Sequence, residues 1–258
     1  MSLPLSLGPA RPVRLSAVNP VAQLSAIAVV TVVLLVSGGL VTPLLLLAAE
    51  LTLLPAAGLT APRELLRRTW PLLVSAASVA WVNVAFGAAS GGDANAWLGG
   101  LALAVRVVAL ALPGLLLAVS TDPVRLADAL TLHWRVPTRF AYGALAALRL
   151  VPLLAAELQT IRLARRARGV DAGRNPVGAV RLAVGTAFGL LVAAVRRGSR
   201  LATAMDARGF DSGIVRTNAR GSRFRPADGW FVATAVTLSA LSVALGLVTG
   251  SWHVVFAG

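Results

Sequence analysis

The apolar residues of the chain fall into long stretches, and the first four are separated by short polar or glycine-rich joints. A helix that spans the hydrocarbon core of a bilayer needs roughly 17–25 mostly apolar residues. Five stretches qualify: residues 21–36 with their flanks, 40–57, 70–89, 98–119 and 230–248. This pattern predicts an all-α, polytopic membrane protein with about five transmembrane helices and additional cytoplasmic helices.

The composition supports a membrane location. Hydrophobic residues make up 57% of the chain and charged residues only 13%, and the mean hydropathy is +0.79. Soluble domains carry about 25% charged residues. An ordinary soluble globule is therefore excluded.

Arginine divides the chain into three regions. Residues 121–229 carry 18 of the 24 basic residues and have a net charge of +11, whereas the whole chain has +14. Because cytoplasmic segments of membrane proteins collect basic residues, we expect this block to be a cytoplasmic module. It follows a four-span region, residues 1–120, and precedes a last transmembrane helix and tail, residues 230–258.

The same rule places the N-terminus in the cytoplasm of a multi-pass plasma-membrane protein. The N-terminal tail contains Arg11 and Arg14, and the joint after the second span contains Arg63, Arg67 and Arg68. The alternative is that the first span is a cleaved signal peptide. Its apolar run is longer than the usual 7–15 residues, and its basic residues lie far from the start, so a span is favoured.

The arginine-rich block is not uniformly polar. Its two apolar runs, 140–154 and 182–195, are too short to span a bilayer comfortably. Prolines that suit first turns and glycines that suit C-terminal caps predict a short helix near 124–132 and two helices of about 30 residues, the first kinked at Pro152. Helices of this kind need protein partners to cover them. The alternative is that they are re-entrant segments or a sixth and seventh span.

Several chemistries are excluded by residue type. The chain contains no lysine, so it lacks the conventional ATP-binding loop with its lysine. It contains no cysteine and two histidines, so no Cys/His cluster can hold zinc or an iron–sulfur centre. We expect no cofactor, metal site or catalytic residue.

The tripeptide Ala-Arg-Gly occurs three times. The first two copies are Ala167-Arg168-Gly169 and Ala207-Arg208-Gly209, and each continues with hydrophobic-Asp-small-Gly. The third, at 219–221, lacks this continuation. A single copy is adequately explained as a helix C-terminus with a glycine cap and a basic residue at the negative end of the dipole. Two copies that end two consecutive long helices predict a pair of protruding tips.

An arginine tip is well suited to docking, because its planar fork can bind a carboxylate with two hydrogen bonds. The competing explanation of so much arginine is nucleic-acid binding. The basic residues alternate with membrane-length helices and lack aromatic stacking partners. We therefore expect no nucleic-acid partner.

Two charges lie well inside the proposed spans, Glu50 and Arg106. At 1.5 Å per residue they are roughly 15 and 12 Å below the outer ends of their helices. Since buried charges in membranes seek partners, an intramembrane pair is possible. The alternative is that Arg106 snorkels or binds backbone carbonyls while Glu50 is protonated.

From residue 19 to about 217 the sequence resembles the transmembrane T component of energy-coupling factor (ECF) transporters, a family that includes the cobalt-transport permeases. The order of the motifs carries the resemblance: Asn19-Pro20, Ser120-Thr121-Asp122-Pro123 with the segment 126–130, the segment 149–154 with Glu157 and Arg162, the two tips, and Arg216-Thr217. Gln23 departs from the family, which often has lysine there.

The resemblance implies a non-enzymatic coupling scaffold. Its partners would be two ATP-binding-cassette (ABC) ATPase subunits and a small substrate-binding membrane subunit, the S component, that captures a vitamin or a metal ion. Arg168 and Arg208 would each enter a groove on one ATPase subunit. The long helices would transmit motion to the S component through their apolar middles.

Two other functions compete with this one. A stand-alone secondary transporter is expected to carry a binding site at the membrane midplane and perhaps inverted repeats, whereas the repeat here lies in the predicted cytoplasmic block. An intramembrane enzyme would need clustered acids, histidines or a nucleophile motif, and the predicted spans contain none.

Overall fold

The computed structural model describes residues 13–59, 62–89, 96–170, 175–210 and 221–250, and their regular elements are helical. This confirms the predicted all-α class. A short 3-10 helix, Arg14–Ala17, comes first. Eight α-helices follow: α1 (Pro20–Val36), α2 (Val41–Leu51), α3 (Pro62–Ala89), α4 (Ala96–Ser120), α5 (Pro123–His133), α6 (Thr138–Ala167), α7 (Pro176–Ala207) and α8 (Pro226–Val248).

Helix α2 is shorter than the predicted span 40–57. It ends at Leu51, and residues 52–58 form a succession of turns. Pro55 has no N–H to continue the helix and disfavours helical geometry in the residue before it. Gly58 then takes a positive φ of 76°, and a Cβ there would come within 2.7 Å of Val13. The turn therefore needs a glycine.

Within the described residues, five helices are long and apolar enough to cross a membrane: α3, α4, α6, α7 and α8. Five is also the predicted number, but the members differ. Helices α1 and α2, both predicted spans, are shorter apolar helices of 17 and 11 residues. Helices α6 and α7 qualify although their region is predicted to be cytoplasmic. By length and composition, the alternative of two further spans remains open.

The chain divides into two compact units. Of the described residues, one unit contains those from 13 to 129 and from 222 to 250, so α8 joins the first four helices in a single unit. The other contains the described residues from 130 to 221, with α6 and α7, and the boundary falls inside α5.

In the larger unit, α1, α2, α4 and α8 form a ring, which we call the helix ring. Helices α1 and α2 each pack against both α4 and α8, and α3 packs on the outside against α4. Its interior contains two apolar clusters. One surrounds Leu54, Leu112 and Leu116, and the other surrounds Leu34 and Leu46.

Buried polar groups join the first and last helices of this unit. The Asp228 carboxylate accepts hydrogen bonds from the backbone N–H groups of Asn19 and Arg225, both at 2.7 Å. The Asn19 side chain accepts from the N–H of Val21 and so caps α1. Asp228 is 2% exposed.

The smaller unit is built on α6 and α7, which we call the helix pair. Three contacts show that the two helices are antiparallel: Tyr142 with Phe210, Glu157 with Arg197, and Arg165 with Leu182. As the residue number rises along α6, it falls along α7. The predicted lengths of about 30 residues are confirmed, at 30 and 32 residues.

Candidate docking tips

The first Ala-Arg-Gly forms the end of α6. Ala167 is the last helical residue, Arg168 is the C-cap with φ −89° and ψ 7°, and Gly169 has a φ of 69°. The N–H of Gly169 donates to the carbonyl of Arg166, and the N–H of Val170 donates to that of Arg165, both at 3.0 Å. These two bonds define a Schellman cap.

The second copy repeats this geometry at the end of α7. Arg208 is the C-cap with φ −89° and ψ 10°, and Gly209 has a φ of 70°. The N–H of Gly209 donates to the backbone carbonyl of Asp206 at 2.9 Å, and the N–H of Phe210 donates to that of Met205 at 3.1 Å. Both glycines occupy the left-handed region, as their predicted role as caps requires.

The two tip arginines are exposed. Within the described ranges, neither guanidinium makes a hydrogen bond or an ion pair, whereas Arg165 donates to the Leu182 carbonyl and Arg197 pairs with Glu157. The helix pair thus uses two arginines internally and leaves Arg168 and Arg208 available at its surface.

The tips lie at opposite ends of the helix pair. Because α6 and α7 are antiparallel, the end of α6 lies beside the start of α7, and Phe210 at the second tip packs against Tyr142 near the start of α6. A helix of 32 residues is about 48 Å long at 1.5 Å per residue. The two arginines are thus separated by most of a long helix.

Part of the repeat lies outside the described residues. This applies to the continuations at 171–173 and 211–213, to Arg216 and Thr217, and to residues 219 and 220 of the third copy. Gly221 of that copy is described and has a φ of 56°.

Other residues of the family motifs have structural roles. Asp122 caps α5 by accepting from the N–H of Val124 at 3.0 Å. Ser120 and Thr121 both donate to the Oε1 of Gln23, each at 3.2 Å.

Gln23 also donates, from its Nε2, to the carbonyls of Leu15 at 2.9 Å and Val18 at 3.3 Å. Lysine has no acceptor and could not accept the two hydroxyl bonds. Glutamine at this position therefore ties the start of α1 to the end of α4, which the sequence alone did not reveal.

The predicted pair of Glu50 and Arg106 is absent. Arg106 donates to the backbone carbonyl of Ser37, at the end of α1, and neither oxygen of the buried Glu50 has a hydrogen-bond partner within the described residues. The pair prediction was wrong because the two residues have different surroundings: Glu50 lines a cavity whose α4 wall includes Pro113, Leu116 and Leu117, whereas Arg106 lies about two turns before Pro113 and bonds to α1 instead. The carbonyl alternative for Arg106 is what the structure contains.

A feature that the sequence analysis missed is an apolar stripe on α7. Six large apolar side chains follow one another at steps of three or four residues, which places them on one helix face, and all are exposed. They are Val177, Val180, Val184, Phe188, Leu191 and Val195. The spacing was visible in the sequence, but its exposure was not.

Comparison with known proteins bears on both units. The family model of CbiQ, described as a cobalt transport protein, matches residues 14–218. Among curated relatives, an energy-coupling factor transporter transmembrane protein EcfT from Exiguobacterium sibiricum is 36% identical over 138 residues, covering 50% of this chain and 52% of that protein.

The EcfT of Lacticaseibacillus paracasei is 37% identical over 144 residues, covering 53% of this chain and 54% of that protein. The EcfT of Limosilactobacillus fermentum is 35% identical over 149 residues, covering 55% and 56%. The chain spans about half the length of these curated relatives. The resemblance to T components is confirmed, and the chain, a multi-pass membrane protein, belongs to the CbiQ family of cobalt transport proteins.

Proposed function

We propose that this chain is the transmembrane coupling subunit of an ECF-type ABC importer. It passes the ATP-driven motion of two ATPase subunits to a membrane S component, which captures a vitamin or a metal ion. The chain itself performs no catalysis and, without a lysine for the phosphates, hydrolyses no ATP on its own. The EcfT names of its relatives support this assignment.

The observation that carries the proposal is the equivalence of the two tips. They share one cap geometry, both arginines are exposed, and they lie at opposite ends of one antiparallel helix pair. Two equal docking elements suit two similar partners. Each guanidinium can bind a carboxylate in a groove with two hydrogen bonds, which gain strength when the groove excludes water.

The α7 stripe supplies the surface for the S component. It extends over 18 residue steps from Val177 to Val195, or about 27 Å. A contiguous exposed apolar face of this size is typical of an interaction site. In this assignment the helix pair lies on the cytoplasmic side, and the stripe is covered by the S component.

The ion pair between Glu157 and Arg197 links α6 to α7 about two thirds of the way along each helix. The atoms are 2.6 Å apart, and about one third of each side chain is exposed. A cross-link at this point helps a displacement at one tip to move both helices together.

ATP-driven uptake by the reconstituted complex tests the role of the tips. Replacing Arg168 or Arg208 with Ala removes a charge-assisted contact of about 1.5–3 kcal/mol, so uptake falls on the order of tenfold or more. The matched control is Arg166→Ala, an exposed arginine in the last turn of α6. Arg220→Ala, in the third copy, also has little effect. Equal losses of uptake in the tip and control variants would show that the overall positive charge matters and the position at the tips does not.

A further inference from the structure

The helix ring contains a partly open cavity of about 230 Å³ between its two apolar clusters. All four helices of the ring contribute apolar side chains to its wall, among them Ile27 of α1, Leu46 of α2, Leu116 of α4 and Phe231 of α8. A dry apolar cavity of about 150 Å³ suffices to bind benzene. This cavity has room for one ring with a short polar arm.

The polar groups that line the cavity are bonded, with one exception. Gln23 makes the four hydrogen bonds described above. The Thr52 hydroxyl donates to the backbone carbonyl of Ala49 at 2.6 Å, and the Thr234 hydroxyl donates to that of Trp230 at 2.8 Å. The exception is Glu50. It is 6% exposed, and both carboxylate oxygens are without a partner within the described part of the chain.

A buried carboxylate without a donor is costly to maintain. Arg106, the other charge inside the predicted spans, donates to Ser37 near the opposite end of the helices. Among the described residues, the cavity wall offers no donor to Glu50. An amine supplies one, and as a cation it also balances the charge of the carboxylate.

The cavity also has an opening. Thr52 at the end of α2 and Thr234 in the first half of α8 both line the cavity and are both exposed. These two residues mark where the cavity reaches the surface of the helix ring.

We propose that this cavity binds a small lipophilic amine, with the ammonium group paired to Glu50 and an apolar body of about one ring between α1, α2, α4 and α8. The inference is independent of the coupling function, because it uses only the helix ring.

Labelling by dicyclohexylcarbodiimide, an apolar reagent for carboxyl groups in apolar surroundings, tests the proposal on the full chain in lipid nanodiscs. Mass spectrometry follows the modification of Glu50, with the exposed Glu64 as the internal control. N,N-Dimethylbenzylamine, a tertiary amine that the activated carboxyl cannot convert into an amide, at about ten times its Kd lowers the labelling rate at Glu50 about tenfold, since only the free fraction reacts. Benzyl alcohol, which carries the same ring without the charge, leaves the rate unchanged.

Thermal unfolding of the same nanodiscs provides a second measurement. The same tertiary amine raises the unfolding temperature of the natural chain but not that of Glu50→Gln. In a second variant, Ala26→Leu, the added side chain occupies part of the cavity and leaves Glu50 in place, and the effect of the amine is lost there as well. Equal protection by benzyl alcohol, or an unfolding temperature that the amine does not change in the natural chain, would overturn the proposal.

Discussion

The helix ring and the helix pair are both made of apolar helices. They differ in how many of their apolar side chains are buried within the unit. The ring surrounds two apolar clusters with four helices. In the pair, the buried residues are Ala141 and Leu145 of α6 and Thr186 of α7. The ring has an interior of its own, whereas the pair leaves most of its apolar surface for other molecules. We therefore assign stability to the ring and docking to the pair.

Polar groups show the same contrast. In the ring, Asp228 is buried and accepts from two backbone N–H groups. In the pair, Glu157 and Arg197 are about one third exposed, and the tip arginines are exposed as well. In the ring, the Asp228 charge joins α1 to α8, whereas most charges in the pair face outward.

The side of the membrane on which α7 lies tests this comparison most sharply. External labelling at either end of α7 is expected to be absent, so any labelling there would contradict the assignment. The chain has no natural cysteine, so Ala179→Cys and Ala204→Cys can be labelled singly at exposed positions near the two ends of α7, away from the α7 stripe. In sealed cells an impermeant reagent should label neither, and permeabilisation should expose both.

The control for labelling is Ala94→Cys, in the predicted external loop and outside the described residues, which should react in sealed cells. External labelling at one end of α7 alone would mean that the helix crosses the bilayer. The α7 stripe would then be a lipid-facing surface rather than a docking surface.

The stabilising role of the ring predicts the next largest effect. Asp228→Ala leaves the N–H groups of Asn19 and Arg225 without their acceptor, at about 1.5–3 kcal/mol for each charge-assisted bond. We expect a loss of at least about 3 kcal/mol in the free energy of unfolding, measured in bicelles.

The matched change in the helix pair is Glu157→Ala, which removes a partly exposed ion pair. Such pairs contribute about 0.2–1 kcal/mol, so its effect on unfolding should be several times smaller than that of Asp228→Ala. Equal losses would show that the two units do not divide stability and docking between them.

An effect smaller than that of Asp228→Ala is expected at the first tip. Gly169 has a φ of 69°, and an added Cβ would meet no atom within 4 Å. Gly169→Ala is therefore destabilising only through the left-handed backbone conformation, by about 1–2 kcal/mol. We expect helical hydrogen-exchange protection to fall at the end of α6 and to persist at the end of α7. Unchanged protection at both ends would mean that the cap is dispensable.

Much of the fold could be predicted because prolines and glycines mark helix ends. Pro176 begins α7 after the Asn175 cap, and Gly169 and Gly209 end α6 and α7. Pro137 is the cap of α6 rather than its first helical residue. The shortening of α2 was missed because hydropathy does not register the break that Pro55 imposes.

The sites were predictable to different degrees. The tips depend on local hydrogen bonds within six residues, so their geometry follows from the tripeptide. The environments of Glu50 and Arg106 depend on how α2 and α4 are staggered and rotated, and residue counting along each helix cannot supply either. Gln23 was noticed only as a departure from the family, because the hydroxyl groups that bond to it, those of Ser120 and Thr121, are almost a hundred residues away.

The central claim is that Arg168 and Arg208 each hold one ATPase subunit. Its most direct test is the number of ATPase subunits that co-purify with the full chain in mild detergent, counted by native mass spectrometry after co-expression. The natural chain and Arg166→Glu should retain two, Arg168→Glu and Arg208→Glu should each retain one, and the double variant should retain none. Retention of both ATPase subunits by the double variant would contradict the account.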